Sequence, residues 1–251
     1  MKVVGVIPAR LASARFPSKL LHIIAGKPLL HWVVENALKA NSLNSVVVAT
    51  DSVEIKNSLQ SFSVDVVMTD SNLASGSDRV WAAVKNTSAD IIVNIQGDEA
   101  LLEPVHIDKA VKSLSLAITK NSLAVSTLAT ALPLGEEDNP NSVKVVCNHQ
   151  GQAIYFSRYP IPYSRTTRTK QDSSLQHIGL YAYTRKALQL FCSKPPVALE
   201  KGERLEQLRL LYWGVPIYVE QIEQKLIGVD TLEDAKMVEA ILLKKENSKK
   251  K

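Results

Sequence analysis

Arg10, Arg15 and Lys19 fall within ten positions of one another, in a run that opens apolar as Val6-Ile7-Pro8-Ala9 and continues through small residues. Two guanidinium forks and one ammonium spaced in this way can clamp phosphate oxygens. Ordinary surface charge is the plainer alternative for the loop taken alone. The second chemical stretch is Ile91–Ala100, IIVNIQGDEA, where an apolar run ends in Gln96-Gly97-Asp98-Glu99. A carboxylate there suits Mg²⁺, which takes few protein ligands and completes its shell with phosphate and water; a turn or capping role for Asp98 is the alternative. The third is Gly228–Ala235, GVDTLEDA. Asp230 and Thr231 can cap a helix, the better reading of the local sequence, and Asp230 can also supply a second carboxylate. The fourth is Ala74–Val80, ASGSDRV, a helix start whose backbone N–H groups can meet an anion or a base edge.

Positioning these groups requires strands that end together. Val3–Pro8 reads as a buried strand, and Val46–Ala49, Val64–Met68, Ile91–Ile95 and Leu123–Ala129 read as further strands. Between them lie helices at Pro28–Ala40, from an Asp51 or Ser52 cap through Phe62, at Asp78–Lys85, and from Pro104 to about Leu116. Continuous apolar strands separated by helices predict an α/β fold with a mostly parallel sheet flanked by helices. Ligands of such sheets bind outside the carboxyl ends of the strands, where three of the stretches fall. After Pro133 the rhythm changes to a smaller β-rich lobe. Val143–Cys147 and Ala153–Ser157 form a hairpin around Asn148–Gly151, His177–Tyr183 and Ile217–Ile222 are strands, and Gly202–Trp213 is helical. Arg165–Ser174 is polar throughout and reads as a mobile loop; a closing helix runs from Thr231 to about Leu243. The expected division is one domain over 1–251, with parts at about 1–132 and at 133–222, a closing segment at 223–243 and a basic tail at 244–251.

Composition narrows the function classes. The formal charge is +5, but KKENSKKK at 244–251 carries +4 of it, so the body is nearly neutral and a nucleic-acid partner is disfavoured. Cys147 and Cys192 have no metal-ligand spacing and give no disulfide framework, which fits a reducing cytoplasm. No segment approaches the ~20 apolar residues of a membrane helix, and neither a membrane partner nor a signal peptide is expected. There is no G-x-x-x-x-G-K-[ST] and no G-x-G-x-x-G, which disfavours P-loop NTPases and dinucleotide-binding oxidoreductases.

IPARLASARFPSK, VVVATD, ASGSDRV, NIQGDE, NSVKVV, AIYFSR, HIGLYAY, LEQLRLL and GVDT, in this order and spanning nearly the whole chain, closely resemble the 3-deoxy-manno-octulosonate (Kdo) cytidylyltransferase family, CMP-Kdo synthetases of the nucleotide-diphospho-sugar transferase fold. The resemblance implies an Mg²⁺-dependent nucleotidyltransferase: the anomeric hydroxyl of Kdo attacks the α-phosphorus of CTP, giving CMP-Kdo and pyrophosphate for lipopolysaccharide synthesis. It implies that Arg10, Arg15 and Lys19 hold the triphosphate, with Lys19, Arg15, Asp98 and Asp230 the catalytic set. Ser75, Gly76, Arg79 and Gln96 would lie around the cytosine and ribose, and Asp98 and Asp230 would bind Mg²⁺. Arg158, His177, Tyr181, Glu206 and Gln207 would meet the sugar acid, with Arg158 on its carboxylate. The family also implies a cytoplasmic homodimer, with about 1–132 as the nucleotide-binding part and 133–222 as the sugar-binding and dimerisation lobe. For His177, on a strand among apolar residues, a structural hydrogen bond is the commoner role, and sugar binding is expected rather than proton transfer.

Two departures from the family pattern stand out. P-S-K-L-L stands where P-G-K-P-L is usual, so Ser18 replaces glycine and would be strained at a positive φ. Q-G-D-E-A stands for Q-G-D-E-P, with Ala100 in place of a rigid proline. Competing expectations are the same reaction on a related acid such as 8-amino-Kdo, or a nucleotide-binding protein without turnover.

Overall fold

The computed structural model describes residues 1–12, 15–119, 121–165 and 174–249. Most of the polar stretch expected to form a mobile loop, 166–173, lies outside the described residues. The chain divides into two compact units, Met1–Asp108 with Leu226–Lys251, and Lys109–Lys225.

In the first unit, β1 (Val3–Ala9) leads through a single 3-10 turn at Lys19–Leu21 to a small hairpin, β2 (Ile23–Ile24) and β3 (Lys27–Pro28). Then follow α1 (Leu29–Leu38), β4 (Ser45–Thr50), α2 (Val53–Ser58), β5 (Asp65–Met68), α3 (Gly76–Val84), β6 (Ile91–Asn94) and the start of α4 (Pro104–Ala117). The strand order is β6-β1-β4-β5, and every pair is parallel. Parallel strands are covered on both faces, which is why β1 and β6 read as unbroken apolar runs. Val6, Ile7, Val48, Ile92 and Val93 are fully buried, each contributing roughly 1.5–3 kcal/mol of apolar transfer. Because the strands run the same way, the loops after β1, β4 and β6 leave one edge of the sheet together.

In the second unit, β7 (Val125–Ala131) is followed by β8 (Lys144–Cys147), β9 (Ala153–Ser157), β10 (Leu175–Thr184), α5 (Arg185–Ser193), α6 (Ala198–Glu203), α7 (Gln207–Tyr212) and β11 (Ile217–Gln221). β7 pairs antiparallel with β10 and parallel with β11, while β8 pairs with both β10 and β9. Asn148 closes the expected hairpin, its side-chain oxygen accepting from the N–H groups of Gln150 and Gln152. The chain then returns to the first unit for α8 (Leu232–Lys249), which runs past the expected end near Leu243.

Two helix expectations change. The helix after Ser52 ends at Ser58, and i→i+3 turns at Leu59, Gln60 and Phe62 replace its last turn. The expected Gly202–Trp213 helix is two helices, broken where Arg204 adopts φ 52°. The break folds Arg209 back onto Glu200, with Nη2–Oε1 at 2.5 Å and Nε–Oε2 at 2.8 Å, both residues buried.

Candidate active site

In the first unit, three loops bring the expected phosphate and metal residues together. Ser18 adopts φ 54°, ψ 26°, the left-handed region that glycine enters without cost. That turn is closed by the Ser18 N–H to Leu11 carbonyl bond (3.3 Å) and the Leu21 N–H to Ser18 carbonyl bond (2.9 Å), and it directs Lys19 inward. The Lys19 ammonium then donates to Asp98 Oδ2 (2.6 Å), the Val229 carbonyl (2.9 Å) and Asp230 Oδ1 (3.0 Å), using all three of its N–H groups. Arg15 Nη2 donates to the other oxygen of Asp230 at 2.8 Å. Arg10 donates from Nη2 to the Leu73 carbonyl, and its buried Nε has no partner.

Asp98 is delivered by the end of β6. A side chain at Gly97 would put Cβ 3.3 Å from the Pro8 carbonyl and 3.4 Å from Leu20, so glycine lets the loop lie this close to β1 without displacing either. The Val229 N–H donates to the Asp98 carbonyl at 3.1 Å, which fixes the second carboxylate segment beside the first. The alternative roles open for Asp230 also separate here. Asp234 accepts from the N–H of Asp230 (3.1 Å), the N–H of Thr231 (2.9 Å) and the Thr231 hydroxyl (2.9 Å), while Thr231 Oγ1 accepts from the Asp234 N–H. Thr231 and Asp234 cap α8 between them, and the Asp230 carboxylate is left to Lys19 and Arg15.

The electrostatics follow from this crowding. Burial is the largest influence on Lys19 and alone would lower its pKa, yet Asp98 and Asp230 together hold the ammonium above its ordinary value. Glu99 is pushed up to about 8, first by burial and then by the Asp98 and Asp230 charges, with Lys19 opposing. Among the described residues no group of three or more His, Cys, Asp or Glu is arranged to hold a metal ion. The point already held by a cation is nevertheless lined by two carboxylate oxygens and a carbonyl oxygen, a hard-oxygen set with few protein ligands that fits Mg²⁺.

Ser75 caps α3, accepting from the Asp78 N–H at 3.1 Å and donating to Asp78 Oδ2 at 2.8 Å. Gly76 packs against Pro8, and half-buried Gln96 donates to Asn94 Oδ1 at 3.2 Å. Arg79 was expected beside the nucleotide. Its side chain is fully buried, paired with Asp51 Oδ2 at 2.7 Å and hydrogen-bonded to Thr69. Arg79 ties the turn after β4 to the end of β5, and its buried Nε has no partner among the described residues. Asp51, whose partner is Arg79, was not singled out from the sequence beyond a possible cap, and Ser52 takes that cap.

The expected sugar residues all lie in the second unit. The rings of Phe156, His177 and Tyr181 follow one another with centroids 5.0 and 5.3 Å apart. The Thr127 hydroxyl lies 2.8 Å from the Leu180 carbonyl and 3.0 Å from His177 Nε2. Since the hydroxyl proton goes to that carbonyl, Nε2 is assigned as the donor to Thr127 and Nδ1 as the bare nitrogen. Burial pushes His177 down to about 3, so it is neutral at physiological pH. Burial also raises the Tyr181 phenol well above its usual value, with Tyr183 and Glu206 adding to the effect. Glu206 is exposed, whereas Gln207 is buried and its Nε2 has no partner among the described residues, an orphaned donor of the kind a ligand hydroxyl satisfies. Arg158 Nε donates to the Glu203 carbonyl at 2.8 Å and Nη1 to the Pro140 carbonyl at 2.7 Å.

Known proteins resemble this chain over nearly its whole length. The cytidylyltransferase family profile matches residues 4–222. A 3-deoxy-manno-octulosonate cytidylyltransferase of Bdellovibrio bacteriovorus is 46% identical over 245 residues, covering 96% of this chain and 98% of that protein. One from Acidobacterium capsulatum is 42% identical, covering 98% of each. A solved structure of CMP:2-keto-3-deoxy-manno-octonic acid synthetase complexed with CTP superposes with TM-score 0.90 at 37% identity, covering 98% of this chain and all of that one. A glucose-1-phosphate thymidylyltransferase from Bacillus anthracis shares the fold alone, with TM-score 0.68 and 16% identity over 95% and 94% of the two chains. The fold is thus the nucleotidyltransferase α/β fold with a mostly parallel sheet flanked by helices, and the chain, a nucleotidyltransferase, belongs to the 3-deoxy-manno-octulosonate cytidylyltransferase family.

Proposed function

We propose that this enzyme transfers CMP from CTP to the anomeric hydroxyl of Kdo, releasing pyrophosphate. The observation that carries the reading is the meeting of Lys19 and Arg15 with Asp98 and Asp230 at one point. Phosphoryl transfer needs positioning and charge neutralisation rather than a covalent partner, and a cation set facing a carboxylate set provides both. Arg10, Arg15 and Lys19 hold the triphosphate, and Ser75, Gly76 and Gln96 border the base and ribose. Asp98 and Asp230 would hold Mg²⁺, which when bound neutralises the phosphates and acidifies the attacking hydroxyl. On loading of nucleotide, Lys19 and Arg15 exchange carboxylate oxygens for phosphate oxygens, so the site keeps its charge balance without an unpaired carboxylate.

On the acceptor side, Arg158 takes the sugar acid's carboxylate, while Gln207, Glu206, Tyr181 and His177 meet its hydroxyls. A neutral His177 and a protonated Tyr181 suit hydrogen bonding and leave neither as a base. The sugar oxygen forms the new bond to the α-phosphorus as the bond to the β-phosphate bridging oxygen breaks. The reading extends to a cytoplasmic homodimer serving lipopolysaccharide assembly, in line with the resemblance and with two free cysteines; light scattering tests the dimer. The test of the reaction is pyrophosphate release, expected only with CTP, Kdo and Mg²⁺ together. Asp98→Ala should lose rate by orders of magnitude while retaining part of its CTP binding. Release without Kdo, or an Asp98→Ala variant with the parent rate, would contradict the reading.

A further inference from the structure

Arg158 follows β9 in the second unit, and nearly every polar group it owns is held. Its backbone N–H donates to Glu203 Oε2 at 2.8 Å, and its carbonyl accepts from Lys144 Nζ at 2.5 Å. Nε donates to the Glu203 carbonyl at 2.8 Å, Nη1 to Pro140 at 2.7 Å and Nη2, at 3.4 Å, to Arg204. The Arg204 carbonyl is presented by the left-handed residue that ends α6. The other oxygen of Glu203 accepts from the Ser157 hydroxyl at 2.6 Å, and Ser157 Oγ accepts from the Tyr159 N–H. Lys144 is fully buried, with a second bond to the Asn139 carbonyl at 3.0 Å.

This arrangement is selective in what it supplies. The guanidinium touches only neutral carbonyls, and among the described residues no carboxylate lies within ion-pair distance of it. Of the five N–H groups of an arginine, three are engaged, leaving one on each terminal nitrogen. The positive charge is therefore fixed in direction yet not neutralised, and the free pair matches the two oxygens of a carboxylate. Glu203 does this with its carboxylate on the backbone and its carbonyl on Nε, so it orients the fork without quenching it. Lys144 holds the same residue by the carbonyl on the other side of the peptide.

We propose that Glu203 and Lys144 are positioning residues that set Arg158 for the carboxylate of the acid substrate. The inference rests on the reading that Arg158 binds that carboxylate, and the experiment separates the two. Steady-state KM values for Kdo and for CTP are measured in Arg158→Ala, Glu203→Ala, Lys144→Met and the Arg158→Ala/Glu203→Ala double variant. Glu203→Gln, of the same shape, stands in if the alanine variant does not fold. Arg158→Ala should raise the KM for Kdo by roughly 100-fold, and Glu203→Ala and Lys144→Met by roughly 10-fold, with the KM for CTP unchanged. In the Arg158→Ala background the Glu203 change should add almost nothing, since it acts through the missing side chain. A Kdo KM unmoved in Arg158→Ala overturns the reading of Arg158 and the inference with it. A raised KM in Arg158→Ala with Glu203→Ala silent, or with its effect undiminished in the double variant, overturns the positioning role alone.

Discussion

Replacing Lys19 by methionine keeps an unbranched stem and removes the ammonium from between Asp98 and Asp230. Three charge-assisted contacts, at 2.6, 2.9 and 3.0 Å, are lost. Such bonds are each worth about 1.5–3 kcal/mol when shielded, but the Asp98 and Asp230 side chains are 27% and 48% exposed. Solvent screening lowers the figure to about 1 kcal/mol apiece. A divalent cation arriving without nucleotide must therefore displace roughly 2–3 kcal/mol of interactions that hold the ammonium in place, about 30- to 150-fold in affinity. Lys19→Met should accordingly bind Mn²⁺ at least about tenfold more tightly than the parent in the absence of CTP, read from the free-ion EPR signal. The same variant should lose kcat/KM with CTP, because the triphosphate loses one of its cations. Opposite signs in the two assays are the signature of an ammonium that leaves the carboxylates for the phosphates. Mn²⁺ binding that is weaker or unchanged in Lys19→Met would refute the exchange.

Three further outcomes test the physical chemistry around the site. Ser18→Gly relieves about 1–2 kcal/mol of left-handed strain against the roughly 0.5–1 kcal/mol of added chain freedom that glycine brings to the unfolded state, so Tm should rise by up to about 6 °C; a lower Tm contradicts the strain. Arg209→Met leaves Glu200 buried and unpaired, which should cost about 3–5 kcal/mol in urea unfolding, and adding Glu200→Leu should recover much of it. For His177, the folded pKa of about 3 lies below the ordinary 6.5, so the unfolded chain takes up the proton first. Its contribution is complete above about pH 6.5 and is lost as pH falls toward 3, amounting to about 2 kcal/mol at pH 5. The deficit of His177→Phe relative to the parent should therefore shrink between pH 7.5 and pH 5, and an equal deficit at both would contradict a buried neutral imidazole.

The sheet of the first unit was legible because β1 and β6 are buried on both faces and short turns punctuate the strands. The helix α5 escaped notice although Thr184 caps it and Ala187, Leu188 and Phe191 form its inner side; its apolar positions are too few to stand out beside the strand before it. The break at Arg204 was illegible for a different reason. It depends on Glu200 and Arg209 closing on each other, and residues three to nine apart in a polar helix read equally well as one solvated face. At the candidate site, the cations and carboxylates were visible as residue types, but their pairing with one another was not. The Ser18 departure gave a direct conformational expectation, and φ 54° is where the residue sits. The Asp51 partner of Arg79 lies 28 positions away along the chain, and only the fold supplies it. Glu203 and Lys144 carried no local signal, since their work is on the backbone and on carbonyls rather than on other charged groups.

The most direct measurement is mass-spectrometric identification of the CMP-linked product when the enzyme is given CTP, Mg²⁺ and an equimolar mixture of sugar acids including Kdo, 8-amino-Kdo and a sialic acid. The expected result is CMP-Kdo as the principal product, with pyrophosphate in equal amount. A CMP conjugate of another acid in its place, or no conjugate with CTP intact, would contradict the assignment of this site to Kdo.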